Sequence, residues 1–156
     1  MYKIYCDVDG VLADFDGYVK KITGKYPDQM ATSELWPSVE PWIAKFEFWN
    51  KFDKIPDADK LWSYIKKYDV SFLTAAGGKT FNLSVRQKQS WLKKNFGYNE
   101  AIVVRSSNQK SKYANEHAIL IDDRKKSIDP WVAAGGIGIL HKNAAYTIKE
   151  LKKLGL

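Results

Sequence analysis

Tyr2-Lys3-Ile4-Tyr5-Cys6-Asp7-Val8-Asp9-Gly10-Val11-Leu12-Ala13-Asp14 is the stretch that decides the fold. Its first half is rich in aromatic and β-branched residues, which suits a strand. Asp-x-Asp-Gly then stops the strand with a turn. Four later runs have the same character: Val70-Ser71-Phe72-Leu73, Ala101-Ile102-Val103-Val104, Ala118-Ile119-Leu120-Ile121 and Gly136-Ile137-Gly138-Ile139-Leu140. Between them apolar residues recur at helical spacing. One such face is Ala58, Leu61, Trp62, Ile65 and Tyr68; another is Phe81, Val85, Leu92 and Phe96; the last is Ala144, Ile148, Leu151 and Leu154. Strands alternating with helices imply βαβ units and a parallel sheet covered on both faces. The expected fold is α/β, a Rossmann-like doubly wound parallel sheet.

One crossover is too long for that plan. Residues 15–54 carry two helical faces of their own, Phe15-Tyr18-Val19-Ile22 and Trp42-Ile43-Phe46-Trp49, punctuated by Pro27, Pro37 and Pro41. We expect a small helical cap at 15–54, inserted after the first strand into a core domain made of 1–14 and 55–156. Trp42, Phe46 and Phe52 are expected to build the cap's own core.

The chain has 156 residues, 45% hydrophobic and 28% charged, enough for one domain with a buried core and too apolar for wholesale disorder. No apolar run approaches the ~20 residues of a membrane span. The N-terminus does not resemble a signal peptide. Cys6 is the only cysteine, so no internal disulfide is possible. A soluble, cytoplasmic protein with no membrane partner is the expectation. The net charge of +7 favours anionic partners, but only Arg86, Arg105 and Arg124 are arginines and the lysines are scattered. That pattern reads as solvated surface and steering charge more readily than as a nucleic-acid footprint. Arg86 and Lys88, on the helix after the second strand, are read the same way.

In open parallel sheets, ligands bind beyond the carboxyl ends of the strands. The first strand is followed by Asp7, Asp9 and Asp14, the second by Thr74-Ala75-Ala76-Gly77-Gly78, the fourth by Asp122-Asp123-Arg124. Lys112 precedes Asp122 by ten residues, and Lys110 competes for the same place. Taken singly, these are turns, helix caps and surface charge. Together they put several carboxylates on one rim, where mutual repulsion calls for a cation. Oxygen-only ligands suit Mg²⁺ rather than zinc, and His117 and His141 lie apart in the sequence.

Asp7-Val8-Asp9-Gly10-Val11, Thr74, Lys112 and Ile121-Asp122-Asp123-Arg124 resemble, in order and spacing, the four motifs of the haloacid dehalogenase-like (HAD-like) phosphatases. Within them, Asp7 to Phe15 and Phe46-Glu47-Phe48-Trp49 are similar to the 5′(3′)-deoxyribonucleotidases, although Thr74-Ala75-Ala76 stands where that group often has Thr-Ser-Pro. The resemblance implies a HAD-like fold and a Mg²⁺-dependent phosphoric monoester hydrolase acting on nucleoside monophosphates. It implies Asp7 as nucleophile, Asp9 as general acid and base, and Lys112 as the charge-neutralising lysine. Thr74 and Ala75 would bind phosphate; Asp7, Asp9 and Asp123 would hold the metal, with Asp122 one step outside it. Phe48 and Trp49 would stack on the base. Other readings remain: a phosphatase of sugar phosphates or polynucleotide 3′-phosphates, or a catalytically inactive nucleic-acid-binding module. A response-regulator receiver domain is excluded, because Val104 is followed by Arg105-Ser106-Ser107 and not by an acceptor aspartate.

Overall fold

A computed structural model describes residues 1–98 and 100–156. Among them five strands, β1 (Lys3–Cys6), β2 (Val70–Ala75), β3 (Ala101–Val104), β4 (Ala118–Asp122) and β5 (Ile137–Leu140), form one parallel sheet in the order β3-β2-β1-β4-β5. These are the five runs singled out in the sequence. Ile4 of β1 pairs with Val70 on one side and with Ile119 on the other. From β1 the chain steps one way to β2 and β3, then returns to build β4 and β5 on the opposite side. The loops leaving β1 and β4 therefore part, and a crevice opens at that switch point.

Right-handed crossovers run in opposite directions put their helices on opposite faces. α3 (Ala58–Ile65) and α4 (Phe81–Phe96) pack Leu61, Ile65, Trp91 and Leu92 on the face that shows Ile4, Cys6, Phe72 and Ile119. α6 (Ala144–Lys153) joins them through Leu151. α5 (Lys125–Ala133) covers the other face, where Ile128 and Trp131 meet Leu73, Val104 and Leu120. β4 is buried along its whole length, which is why it reads as an unbroken apolar run.

The insertion contains α1 (Phe15–Thr23) and α2 (Thr32–Phe46), followed by a 3-10 turn at Phe48–Asn50. Asp14 caps α1 by accepting the Gly17 N–H at 3.0 Å. Both ends of the insertion are tied together: the Asp14 N–H donates to the Asp53 carbonyl at 2.9 Å, and the Ile55 N–H to the Leu12 carbonyl at 2.8 Å. Val19, Val39, Ile43, Phe48 and Phe52 share one continuous apolar core with Ile4 and Phe72, so the insertion is packed down onto the helices of the sheet. Phe46 departs from expectation. It is 53% exposed, because α2 ends there and Glu47 turns left-handed (φ 55°), breaking the helical phase. Trp42 is half-buried against it, ring centroids 5.1 Å apart. No helix among the described residues is long and apolar enough to cross a membrane.

Candidate active site

Asp7 immediately follows β1 and is almost fully buried. Beyond it the Val8 carbonyl accepts the N–H groups of Leu12 and Ala13 at 2.8 and 2.9 Å, curling the chain into a tight loop that leaves Asp9 and Gly10 on the rim. Gly10 has φ 80°, and a methyl group there would overlap the Asp123 carboxylate. Gly10→Ala is thus strained twice, in its own backbone by about 1–2 kcal/mol and in the placement of Asp123. We expect the variant to need at least ~10-fold more Mg²⁺ for half-maximal activity, if Asp123 holds the metal. An unchanged Mg²⁺ titration would show that Asp123 does not set metal affinity.

Asp122, the last residue of β4, is completely buried. One of its oxygens accepts from Lys110 Nζ at 2.7 Å and the other from the Arg124 N–H at 2.9 Å. The same Lys110 ammonium reaches Asp7 Oδ1 at 3.1 Å. Lys110 sits in a 3-10 segment, Ser107–Tyr113, packed on α5 and β2. Burial alone would pull its ammonium down, but Asp7 and Asp122 outweigh burial and push it above the ordinary lysine range. Asp7 moves up as well. Burial is the main cause and Asp122 the next, only partly offset by Lys110. Asp123 is open to solvent on its outer side, yet partial desolvation and then the Asp122 charge push its carboxyl up to about 7.

Asp7, Asp122 and Asp123 each offer a carboxylate oxygen within 4.8 Å of the others. One buried lysine among three converging carboxylates leaves negative charge uncompensated, and the donors are all oxygen. The set fits a hard divalent cation such as Mg²⁺. Both Asp122 oxygens are already engaged, which leaves Asp7 and Asp123 freer to hold one.

Thr74 ends the buried part of β2, beside Ala75 and Ala76. Its hydroxyl accepts from Lys88 Nζ at 3.2 Å, and Lys88 also donates to Asp9 Oδ2 at 2.6 Å. Lys88 is 2% exposed, and its ammonium lies 3.8 Å from the centre of the Trp49 ring. It is therefore no surface charge. It belongs to an inward stripe of α4 formed by Ser84, Gln87, Lys88 and Trp91. That stripe also clasps the cap: the Trp49 indole N–H donates to Ser84, Gln87 bridges the Trp49 N–H and the Ile43 carbonyl, and the Trp91 indole N–H donates to the Phe52 carbonyl. Arg86, by contrast, is exposed.

These groups open into a cleft of about 710 Å³ between cap and core. Its aromatic wall consists of Phe15, Trp36 and Trp49, with Phe15 stacked on Trp49 at 5.8 Å and 16°. Phe48 is not part of that wall. It is fully buried in the cap core, edge-on to Phe15, Tyr18 and Phe52. Cys6 is buried under the site, and burial, with Asp7 and Asp122 beside it, pushes its thiol up, so it is packing and not a nucleophile. His117 is exposed, and His141 is buried against Thr147 at 2.6 Å, away from the cleft lining.

No protein-family model and no curated protein matches the sequence. Solved structures do match. A hydrolase from Streptococcus pneumoniae TIGR4 is similar with TM-score 0.56 and 16% identity, over 97% of this chain and 98% of that one. A haloacid dehalogenase-like family hydrolase from Streptococcus pneumoniae gives 0.55 and 14%, over 96% and 90%. The L-2-haloacid dehalogenase of Xanthobacter autotrophicus gives 0.56 and 11%, over 98% and 83%. The chain has the haloacid dehalogenase-like fold. Its rim brings together Asp7, Asp9, Thr74, Ala75 and Asp123 along the cleft, with Asp122 behind them. Three expectations are corrected, that of Lys88 as surface charge among them. Lys112 is exposed on the far side of its 3-10 segment, and Lys110 takes the place beside Asp7. Phe48 is structural, so Trp49 meets the cleft without it. Lys88, Phe15 and Trp36 were not anticipated there; the first betrayed itself in sequence only as a lysine on a helix face that also carries Trp91.

Proposed function

We propose that the protein is a Mg²⁺-dependent phosphatase of (deoxy)ribonucleoside monophosphates that works through an aspartyl-phosphate. One observation carries this reading: a buried carboxylate held by a buried lysine faces a hydroxyl, a second carboxylate and an oxygen-only metal cluster, all beneath an aromatic cleft.

Asp7, Asp123 and the Asp9 backbone carbonyl would hold the cation, which supplies charge neutralisation for the phosphoryl group and the nucleophile. Lys110 occupies Asp7 Oδ1, leaving Oδ2 for attack on phosphorus. A bond forms from Oδ2 to phosphorus as the bond to the leaving alkoxide breaks, and Asp9 gives that alkoxide its proton. Asp9 then takes a proton from the water that cleaves the acyl phosphate, releasing inorganic phosphate and restoring Asp7. Lys88 fixes Oδ2 of Asp9, which keeps Oδ1 for these transfers. The Thr74 hydroxyl and Ala75 amide would bind phosphoryl oxygens as charge builds on them. Phe15 and Trp36 would contact the base, a contact that tolerates any base, with Trp49, 4% exposed and covered by Phe15 and Lys88, backing them.

The test is phosphate release from deoxy- and ribonucleoside monophosphates, sugar phosphates and a 3′-phosphorylated oligonucleotide. Mononucleotides should turn over at least ~10-fold faster than sugar phosphates of equal charge, since stacking is worth about 1–3 kcal/mol per base. Chelation of Mg²⁺ should remove the activity and re-addition restore it. Turnover of sugar phosphates alone, or of the oligonucleotide alone, would overturn the substrate assignment and keep the chemistry.

A further inference from the structure

Of the charged residues that line the cleft and that the phosphoryl chemistry does not use (Asp16, Asp28, Glu40, Arg105, Arg124 and Lys126), Glu40 and Arg105 stand beside the Gly77–Gly78 turn. Glu40 lies on α2 one turn beyond Trp36, and both line the cleft. Its carboxylate stands 3.8 Å from the position a Cβ of Gly78 would take, so it hangs over the Gly77–Gly78 turn that follows Thr74. Arg105 comes just after β3 and touches the same turn, its carbonyl oxygen 3.3 Å from the corresponding position at Gly77. Its guanidinium carbon lies 4.0 Å from the centre of the Phe81 ring. Among the described residues, neither the Glu40 carboxylate nor the Arg105 guanidinium makes a hydrogen bond or an ion pair. A carboxylate thus stands over a turn that carries no side chains of its own, and a guanidinium stacked on Phe81 shares the same cleft lining.

A half-buried carboxylate without a partner is poised for a ligand donor, because a ligand that fails to supply one leaves it desolvated and unpaired. Among the nucleobases, guanine alone offers two parallel donors, N1–H and the N2 amine, to match the two oxygens of a carboxylate. Its other edge carries the O6 and N7 acceptors that suit a guanidinium. Adenine and cytosine set a ring acceptor beside the amine. Thymine and uracil set their one N–H between two carbonyls. In each of these a carboxylate meets a lone pair, which disfavours the wrong base as well as favouring the right one. Stacking on Phe15 and Trp36 cannot make that distinction.

We infer that Glu40 and Arg105 make this cleft selective for guanine nucleotides. The inference rests on the nucleotide reading above.

The experiment compares kcat/KM for dGMP, dIMP, dAMP, dCMP and dTMP, with p-nitrophenyl phosphate as an ester that has no base. In the parent protein dGMP should exceed dAMP by ~10–100-fold, the range that one or two bidentate contacts supply. dIMP, which lacks the N2 amine, should fall between them. Glu40→Gln replaces one acceptor with a donor and should bring the dGMP/dAMP ratio close to one, and Arg105→Met should narrow it. Because each ratio is taken within one preparation, partial unfolding lowers both terms and cancels. A parent ratio near one, or a ratio that survives Glu40→Gln, overturns the guanine assignment while leaving a nucleotide phosphatase. Turnover of p-nitrophenyl phosphate with no mononucleotide hydrolysed overturns the nucleotide reading, and this inference with it.

Discussion

Asp7→Asn should abolish phosphate release, by at least roughly 10⁴-fold, while the protein stays folded. An amide nitrogen or oxygen does not displace an alkoxide from phosphorus, and no other carboxylate occupies Asp7's place between Lys110 and the loop carrying Asp9 and Gly10. The same substitution removes a buried charge next to Asp122 and Asp123. In chelator the variant is therefore expected to melt no lower than the parent, and higher near neutral pH. The sign of the pH effect follows from Asp7's raised carboxyl. As pH falls, the folded parent binds a proton at Asp7 before the unfolded chain does, so the parent gains stability and the difference shrinks. Thermal melts of both proteins in chelator across mildly acidic to neutral pH, read beside the activity assay, separate loss of chemistry from loss of structure. Residual activity within tenfold of the parent would remove Asp7 as the nucleophile.

How far the site was legible depended on which periodicity the chain obeyed. The sheet announced itself, because β1 to β5 are short apolar runs separated by helical spacing, and the rim residues follow from where those runs stop. Asp7, Thr74 and Asp122 were findable on that ground alone. Lys110 and Lys112 were not separable, because a ten-residue interval to Asp122 carries no phase. Ser107–Tyr113 is a 3-10 helix with three residues per turn, so two residues advance the side chain by roughly 240° and only one of the pair can face Asp7.

α4 misled for the opposite reason. Its apolar residues Phe81, Val85, Leu92 and Phe96 suggest one inward face, and Leu92 is fully buried, but the buried side also carries Ser84, Gln87, Lys88 and Trp91. Polar side chains there satisfy the backbone and indole groups of the 15–54 segment and the carboxylate of Asp9, so hydrophobicity alone does not mark them as buried. Phe48 was placed at the cleft by the family resemblance alone, whereas the 3-10 turn that follows left-handed Glu47 buries its ring in the core. Of the aromatic residues that line the cleft, Phe15 and Trp36 come from α1 and α2, and Trp49 alone from that turn.

Lys110→Met compared with Lys112→Met decides which lysine does the work. Lys110 is 3% exposed and lies between two buried carboxylates; removing its ammonium leaves both uncompensated. Breaking a buried pair in this way costs roughly 3–5 kcal/mol, which for a chain of this size lowers the melting temperature by about 6–20 °C. The activity of the folded fraction should fall by a further ~10²–10³, because Asp7, the proposed nucleophile, loses its positioning contact and the site a nearby positive charge. Mg²⁺ should recover part of the stability, since a cation on Asp7 offsets some of the repulsion, but not the rate. Adding Asp122→Asn to Lys110→Met removes one of the stranded charges and should raise the melting temperature again, whereas activity stays low. Lys112 is solvent-exposed and its removal should change stability by no more than about 0.5 kcal/mol. A Lys112→Met protein that loses activity, beside a Lys110→Met protein that keeps it, would mean that the 3-10 segment turns in solution to present the other lysine. The ion pairs of Lys110 with Asp7 and Asp122 would then be absent from the working enzyme.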